Sequence, residues 1–213
     1  MTDFLISPIT LDGRLVRLEP LSLLHSEGLA EAGSDPTIWR YMLYGNLSLP
    51  GAMEVWVQDI LHRQSAGTDL PFAVIHKPSG RVAGATRYLD IRPKDRGLEI
   101  GGTWYGTDFQ RTGVNTECKY LLLRHAFEVL GCIRVQFKAD AMNERSLRGI
   151  ERIGAQREGV LRNHMLLSDG RKRDSVYFSI IDSEWPQVKT RLEGLMSAAQ
   201  GSDGVATAGA AGE

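Results

Sequence analysis

In this 213-residue sequence, the ten residues Asp108-Phe109-Gln110-Arg111-Thr112-Gly113-Val114-Asn115-Thr116-Glu117 are the stretch best suited to hold a ligand. They form a polar loop that runs into an apolar stretch, KYLLLRHAF, which reads as a helix. The first turn of a helix leaves backbone N–H groups without partners and has the positive end of the helix dipole behind them. Gly113 has no side chain to block close approach, so the amides of Gly113, Val114, Asn115 and Thr116 are placed to donate to a phosphate, with the hydroxyls of Thr112 and Thr116 beside them. No Gly-Lys-Ser/Thr follows, which excludes a P-loop, and a dinucleotide fingerprint needs three glycines where this loop has one. The plainer alternative is that Gly113 permits a tight turn and Asn115 or Thr116 caps the helix.

Elsewhere the chemistry-bearing residues are sparse. Cys118 and Cys132 sit in apolar surroundings, without CxxC spacing or a histidine cluster, and read as buried reduced thiols. His125 has no partner at ligand spacing, so it reads as structural and no metal is expected. Lys plus Arg number 25 against 26 Asp plus Glu, which removes the strong basic field of a nucleic-acid binder. No apolar stretch reaches membrane-spanning length. The N-terminus MTDFLISPITLDG lacks a basic segment followed by a long apolar run, so a cytoplasmic protein is expected.

The elements that must position the loop follow from the hydrophobic period. GRLVRLEPL alternates as a first strand, and LSLLHSEGLAEAG and DPTIWRYM read as short helices, the second started by Asp35 and Pro36. A longer helix follows over SLPGAMEVWVQDILHRQSAG. FAVIHKPSGRVAGATRYLDI is a hairpin about a Pro-Ser-Gly turn, and LEIGGTWYG is a further strand leading to the loop. Next come the loop's helix, closed by Gly131, the strand IRVQFKADA, and a helix from an Asn143 cap to Gly154. An antiparallel pair and a last helix complete the domain, predicted over residues 1–197; residues 198–213, rich in Gly, Ala and Ser, are expected to be a disordered tail. The order predicts an α+β fold: a mixed, mostly antiparallel central sheet flanked by helices, with one parallel pair made by the strand-helix-strand crossover.

The spacing Gln110-x-x-Gly113-x-Asn115 between a strand and a helix resembles the acetyl-CoA pyrophosphate loop of the GNAT acetyltransferase superfamily, usually Gln/Arg-x-x-Gly-x-Gly/Ala; Asn115 departs from it. The runs GVNTECKYLLLRHAFE and NERSLRGIERIGAQREGVLR resemble the RimJ/RimL-type branch, and the likeness extends from about Gly13 to Arg191. The resemblance implies acetyl-CoA as cosubstrate, held by Gln110, Thr112, Gly113, Val114, Asn115, Thr116 and Asn143, with the parallel pair splayed around the cofactor. Gly101-Gly102 then marks either close ligand approach or a plain bulge. Asn143 either meets the pantetheine or only caps its helix. Where the superfamily commonly has a tyrosine that protonates the thiolate, this sequence has Ile150. Ser146 matches a branch serine thought to meet the sulfur. Glu99 is the candidate base, expected to share a strand face with Gly101, Thr103 and Tyr105; the alternative is an edge-strand glutamate in solvent.

The function implied is direct acetyl transfer from the thioester to a primary amine, on a peptide N-terminus or a small molecule, without a nucleophilic cysteine. A non-catalytic CoA-binding sensor or scaffold is the rival, and a loop serving another nucleotide a weaker third. Trp39, Tyr41 and Trp56 either line the acceptor site or pack the core. The expected partners are the amine acceptor, with no nucleic acid and no membrane; a homodimer is left open.

Overall fold

The computed structural model describes residue 4 and residues 6–205. Strands β1 (Leu11–Asp12) and β2 (Val16–Pro20) open the chain, and helices α1 (Ser26–Ala32) and α2 (Ala52–Ser65) follow. Between the helices Asp35 accepts the Thr37 N–H at the start of the 3-10 turn Pro36–Tyr41, the start signal that Asp-Pro provides. Strands β3 (Leu70–His76) and β4 (Val82–Arg92) form the hairpin, whose turn closes at Gly80 with φ +68°. Strand β5 (Gly97–Tyr105), helix α3 (Val114–Arg124), strand β6 (Arg134–Asp140) and helix α4 (Glu144–Arg152) come next, then β7 (Gln156–Leu166), β8 (Lys172–Ile181) and α5 (Trp185–Val205). The α3 segment continues as a π-turn over His125–Val129 before Gly131 turns it with φ +65°. Helix α5 runs to Val205, into the stretch expected as tail; the rest of that stretch lies outside the described residues.

Among the described residues the strands make one sheet in the order β1-β2-β3-β4-β5-β6-β8-β7. Every neighbouring pair is antiparallel except β5 with β6, the pair joined through α3. Each face of the sheet carries a helix layer. Phe72, Val74, Leu98, Val135 and Phe137 pack against α3, α4 and α5, while Ala73, Ile75, Ala85 and Trp104 pack against α1 and α2. Period-two alternation along one strand therefore feeds two cores.

That alternation breaks once in β5. Arg87 pairs with Gly101 and Ala85 with Trp104, so two residues of β5, Gly102 and Thr103, oppose one of β4, Thr86. This is a β-bulge, and Gly102 sits in it with φ +58°. Upstream, Leu98 and Ile100 face α3; downstream, Tyr105 faces α3 and Trp104 faces α2. The expected single face of Glu99, Gly101, Thr103 and Tyr105 is thus corrected. Glu99 and Gly101 lie on the side away from α3, and the extra residue turns Thr103 and Tyr105 toward it.

Candidate active site

The parallel pairing of β5 with β6 covers only Gly97–Glu99 against Arg134–Gln136. Beyond it the strands part, and a cavity of about 460 Å³ runs through the opening, lined on the α3 side by Asn115, Lys119 and Ser146 and on the other by Glu99, Lys138 and Arg173. The hollow connects the two faces of the sheet, so a group held beneath α3 and a group held on the opposite face can meet between the strands.

At the α3 end, Gly113 is the N-cap residue, with φ −67° and ψ −13° and no side-chain cap. The left-handed residue of the loop is Arg111, at φ +62°. Among the described residues the N–H groups of Gly113, Asn115 and Thr116 have no acceptor, whereas that of Val114 meets Thr112 Oγ1 at 3.3 Å. The threonine hydroxyls are committed to the protein. Thr112 Oγ1 donates to the Phe109 carbonyl at 2.7 Å, and Thr116 Oγ1 accepts from Arg152 at 2.7 Å. Gln110 ties the loop down: its amide donates to the Tyr105 carbonyl at 2.9 Å and its oxygen accepts from Arg145. Val114 points into the core, fully buried, so only its backbone faces the loop. Three arginines that the sequence reading passed over, Arg111, Arg145 and Arg152, line the same end of the cavity. Free amides at a helix start with guanidinium groups around them suit a phosphate-bearing ligand.

Asn143 caps α4, its Oδ1 accepting the Ser146 N–H at 3.1 Å. Ser146, Ile150 and Ile153 all reach the cavity wall, so the serine lies on the inward-facing side of the helix.

Glu99 is not an edge-strand glutamate. It is 1% exposed on a strand flanked by β4 and β6, and its Oε2 accepts from Lys138 at 3.2 Å and Gln136 at 3.2 Å. Its Oε1 lies over Gly101, where an added β-carbon would stand 2.8 Å away. At Gly102 an added β-carbon would meet the Tyr44 hydroxyl at 2.7 Å and Arg87 Nε at 2.9 Å. The glycine pair is thus both a bulge and a gap that side chains of the site fill. Tyr41 reaches the cavity, while Trp39 and Trp56 are core residues beneath α1 and α2.

Lys119, another residue the sequence reading missed, is 6% exposed and donates to Thr103 Oγ1 at 3.0 Å. Burial pulls its pKa down to about 8, against the pull of the nearby Glu99 carboxylate. Its signal was available: a lysine four residues after Asn115, on the same side of the helix. Burial pushes the thiols of Cys118 and Cys132 up to about 12, so neither is a thiolate near neutral pH. No group of metal-ligating side chains occurs among the described residues, and none of their helices is long and apolar enough to cross a membrane.

Comparison with known proteins agrees with this geometry. Residues 15–156 match the family described as the acetyltransferase (GNAT) domain. The chain is 33% identical over 106 residues to the "Putative ribosomal N-acetyltransferase YdaF" of Bacillus subtilis, a match that spans 50% of this chain and 57% of that relative. It is 32% identical to a GCN5-related N-acetyltransferase from Brucella melitensis, with a TM-score of 0.84 over 90% of this chain and 86% of the other. It shares the fold of Mycobacterium smegmatis RimJ, solved in complex with CoA-disulfide, at 21% identity and a TM-score of 0.74 over 88% of this chain and 95% of that one. The chain therefore belongs to the GNAT acetyltransferase family, a family of acyltransferase enzymes.

Proposed function

We propose that the protein is an acetyl-CoA-dependent N-acetyltransferase that moves the acetyl group directly to a primary amine within a ternary complex. The observation that carries this reading is the cavity through the β5–β6 opening, which joins Thr112 and Asn115, at the helix start whose Gly113, Asn115 and Thr116 amides are unbonded, to the Glu99 face of the sheet. Acetyl-CoA supplies the thioester: the amine forms a bond to its carbonyl carbon, the C–S bond breaks, and the sulfur leaves with the electron pair.

The residues present fit such a cosubstrate. The α3 amides with Arg111, Arg145 and Arg152 bind its phosphates, and the edges of β5 and β6 beyond Glu99 and Gln136 offer backbone groups not paired with each other. Glu99 takes the proton that the amine loses, directly or through water, on a carboxylate whose Oε2 is held in place by Lys138 and Gln136. Ser146 donates toward the departing sulfur in place of the tyrosine that Ile150 replaces. Orientation of the two reactants in one hollow supplies most of the acceleration. The acceptor is a peptide N-terminus or a small-molecule amine; the Bacillus subtilis relative is named a ribosomal N-acetyltransferase. A cytoplasmic location belongs to the same proposal.

Gly113→Val tests the reading. The backbone angles at Gly113 are open to valine, so the variant folds, while the branched side chain crowds the amides. CoA affinity should fall by tenfold or more, roughly the loss of one charge-assisted hydrogen bond. Unchanged affinity in the folded variant defeats the loop assignment. Binding of acetyl-CoA without thiol release across a panel of amines would instead mark a CoA-binding sensor.

A further inference from the structure

Ion pairing on the acceptor face leaves one cation over. Arg87 stands 3.0 Å from Asp69, Lys138 stands 3.2 Å from Glu99, and Arg171 stands 2.6 Å from Asp140. Arg173 on β8 lines the same cavity and is 5% exposed, yet no carboxylate of the described residues lies within ion-pair distance of it. Its Nε is buried without an acceptor. Burial is the leading influence on its guanidinium and pulls the pKa below the usual arginine value, with Asp140 and Glu99 acting against it from further away. Asp140 cannot turn to it freely, because that carboxylate already accepts from Arg171 and from the Met142 N–H.

The side of the sheet decides which ligand Arg173 serves. Val176, Phe178 and Ile180 of β8 point into the core beneath α3 and α5, so Arg173, Ser175 and Tyr177 alternate onto the opposite face with Glu99 and Lys138. The phosphate-binding amides lie on the α3 side. A buried cation without a protein partner is unfavourable unless a ligand completes it, and a guanidinium fork matches a planar carboxylate in two parallel hydrogen bonds.

We propose that Arg173 binds a carboxylate carried by the acceptor, so that the substrates of this chain are amino acids or other amino-carboxylates. The inference rests on the acetyltransferase reading and narrows its acceptor. Glu99 meets the amine end of such a molecule and Arg173 its carboxylate end, which places a compact zwitterion across the cavity floor.

The test is a panel of α- and ω-amino acids, each paired with its carboxamide and assayed for thiol release from acetyl-CoA. At least one carboxylate should exceed its carboxamide in kcat/KM by about tenfold or more, the worth of a charge-assisted bond. Arg173→Gln should abolish that preference mainly through KM, Arg173→Lys should keep part of it, and the melting temperature of Arg173→Gln should hold or rise because an unpaired buried charge has been removed. Parity between every acid and its amide in the parent, or a preference that survives in Arg173→Gln, overturns the inference while leaving the transferase reading intact. If no amine is acetylated at all, the transferase reading has failed, and calorimetric titration with glycine and 4-aminobutyrate in the presence of CoA decides the point separately. Saturable binding lost in Arg173→Gln supports a carboxylate site, and absence of binding to the parent overturns it.

Discussion

Lys119 carries an amine out of water onto the wall of a cavity, and its energetics follow from that. Its folded-state pKa of about 8 lies below the ordinary lysine value, so the unfolded chain holds more protons between pH 8 and about 10.4. A depressed lysine contributes stability that is present above the unfolded pKa and lost as pH falls through the folded one. Lys119→Met removes this dependence and leaves a thioether of similar length against Phe137. The stability of the variant relative to the parent, measured by urea unfolding, should be greatest at pH 7 and shrink by up to roughly 3 kcal/mol as pH rises to 10. The comparison must be a difference between the two proteins, since Cys118 and Cys132, raised to about 12, push parental stability the other way over the same range. A pH-independent difference shows that Lys119 titrates as a solvated lysine. Arg173 is the companion case among the residues, although no pattern in the sequence marks it. Its isolation depends on Arg171 taking Asp140, a contact between β6 and the β7–β8 turn that only the folded chain creates.

At the scale of elements, α3 does more than end in a loop. Glu117, in its first turn, accepts the backbone N–H groups of Arg14, Leu15 and Val16 at 2.9, 2.7 and 2.7 Å, which fastens the β1–β2 turn to the same helix start that offers amides to a ligand. Gly13 is needed there, because an added β-carbon would stand 2.8 Å from the Glu117 carboxyl carbon. Glu117→Gln keeps one acceptor oxygen and turns an NH2 toward N–H donors, so it should destabilise the protein by about 3 kcal/mol, given 1.5–3 kcal/mol for each bond to a charged group. Scanning calorimetry should show a melting temperature lower by about 6–12 °C for a domain of this size. A shift within error would show that the turn holds itself. The elements themselves were legible where local chemistry sets them: the Pro-Ser-Gly hairpin, the Asp35-Pro36 start, the Asn143 cap, and the strand-helix-strand that forces a parallel pair. The bulge at Gly102 was not, because nine letters of alternation carry no register; only the pairing of β4 with β5 shows that two residues face one. The choice between a buried and an edge-strand Glu99 stayed open for a similar reason. Its strand is central rather than at an edge, and strand order is not written in strand sequence.

Across the whole molecule the strands tie the two cores together. Phe72 and Val74 of β3 point into the core under α3, and Ala73 and Ile75, their direct neighbours, point into the core under α1 and α2. Neither helix layer can leave without stripping the sheet that floors the other, so unfolding should be a single cooperative step. The tryptophans make this measurable, since Trp39, Trp56 and Trp104 cluster on one face, with ring centroids 4.8 and 6.1 Å apart in successive pairs, and Trp185 lies on the other. In a Trp185→Phe variant the fluorescence reports the α1–α2 side alone, while far-UV circular dichroism reports the whole chain. The two melting curves should coincide. CoA at about one hundred times its Kd should raise stability by about 2.7 kcal/mol, and the melting temperature by roughly 5–10 °C, in both signals together. That joint shift is the informative outcome, because CoA is expected to sit on the α3 side and yet stabilise tryptophans on the opposite face through strands common to both. A shift in the dichroism with the fluorescence curve left behind would show two units that unfold separately, and the cavity through the sheet would then be a seam between them.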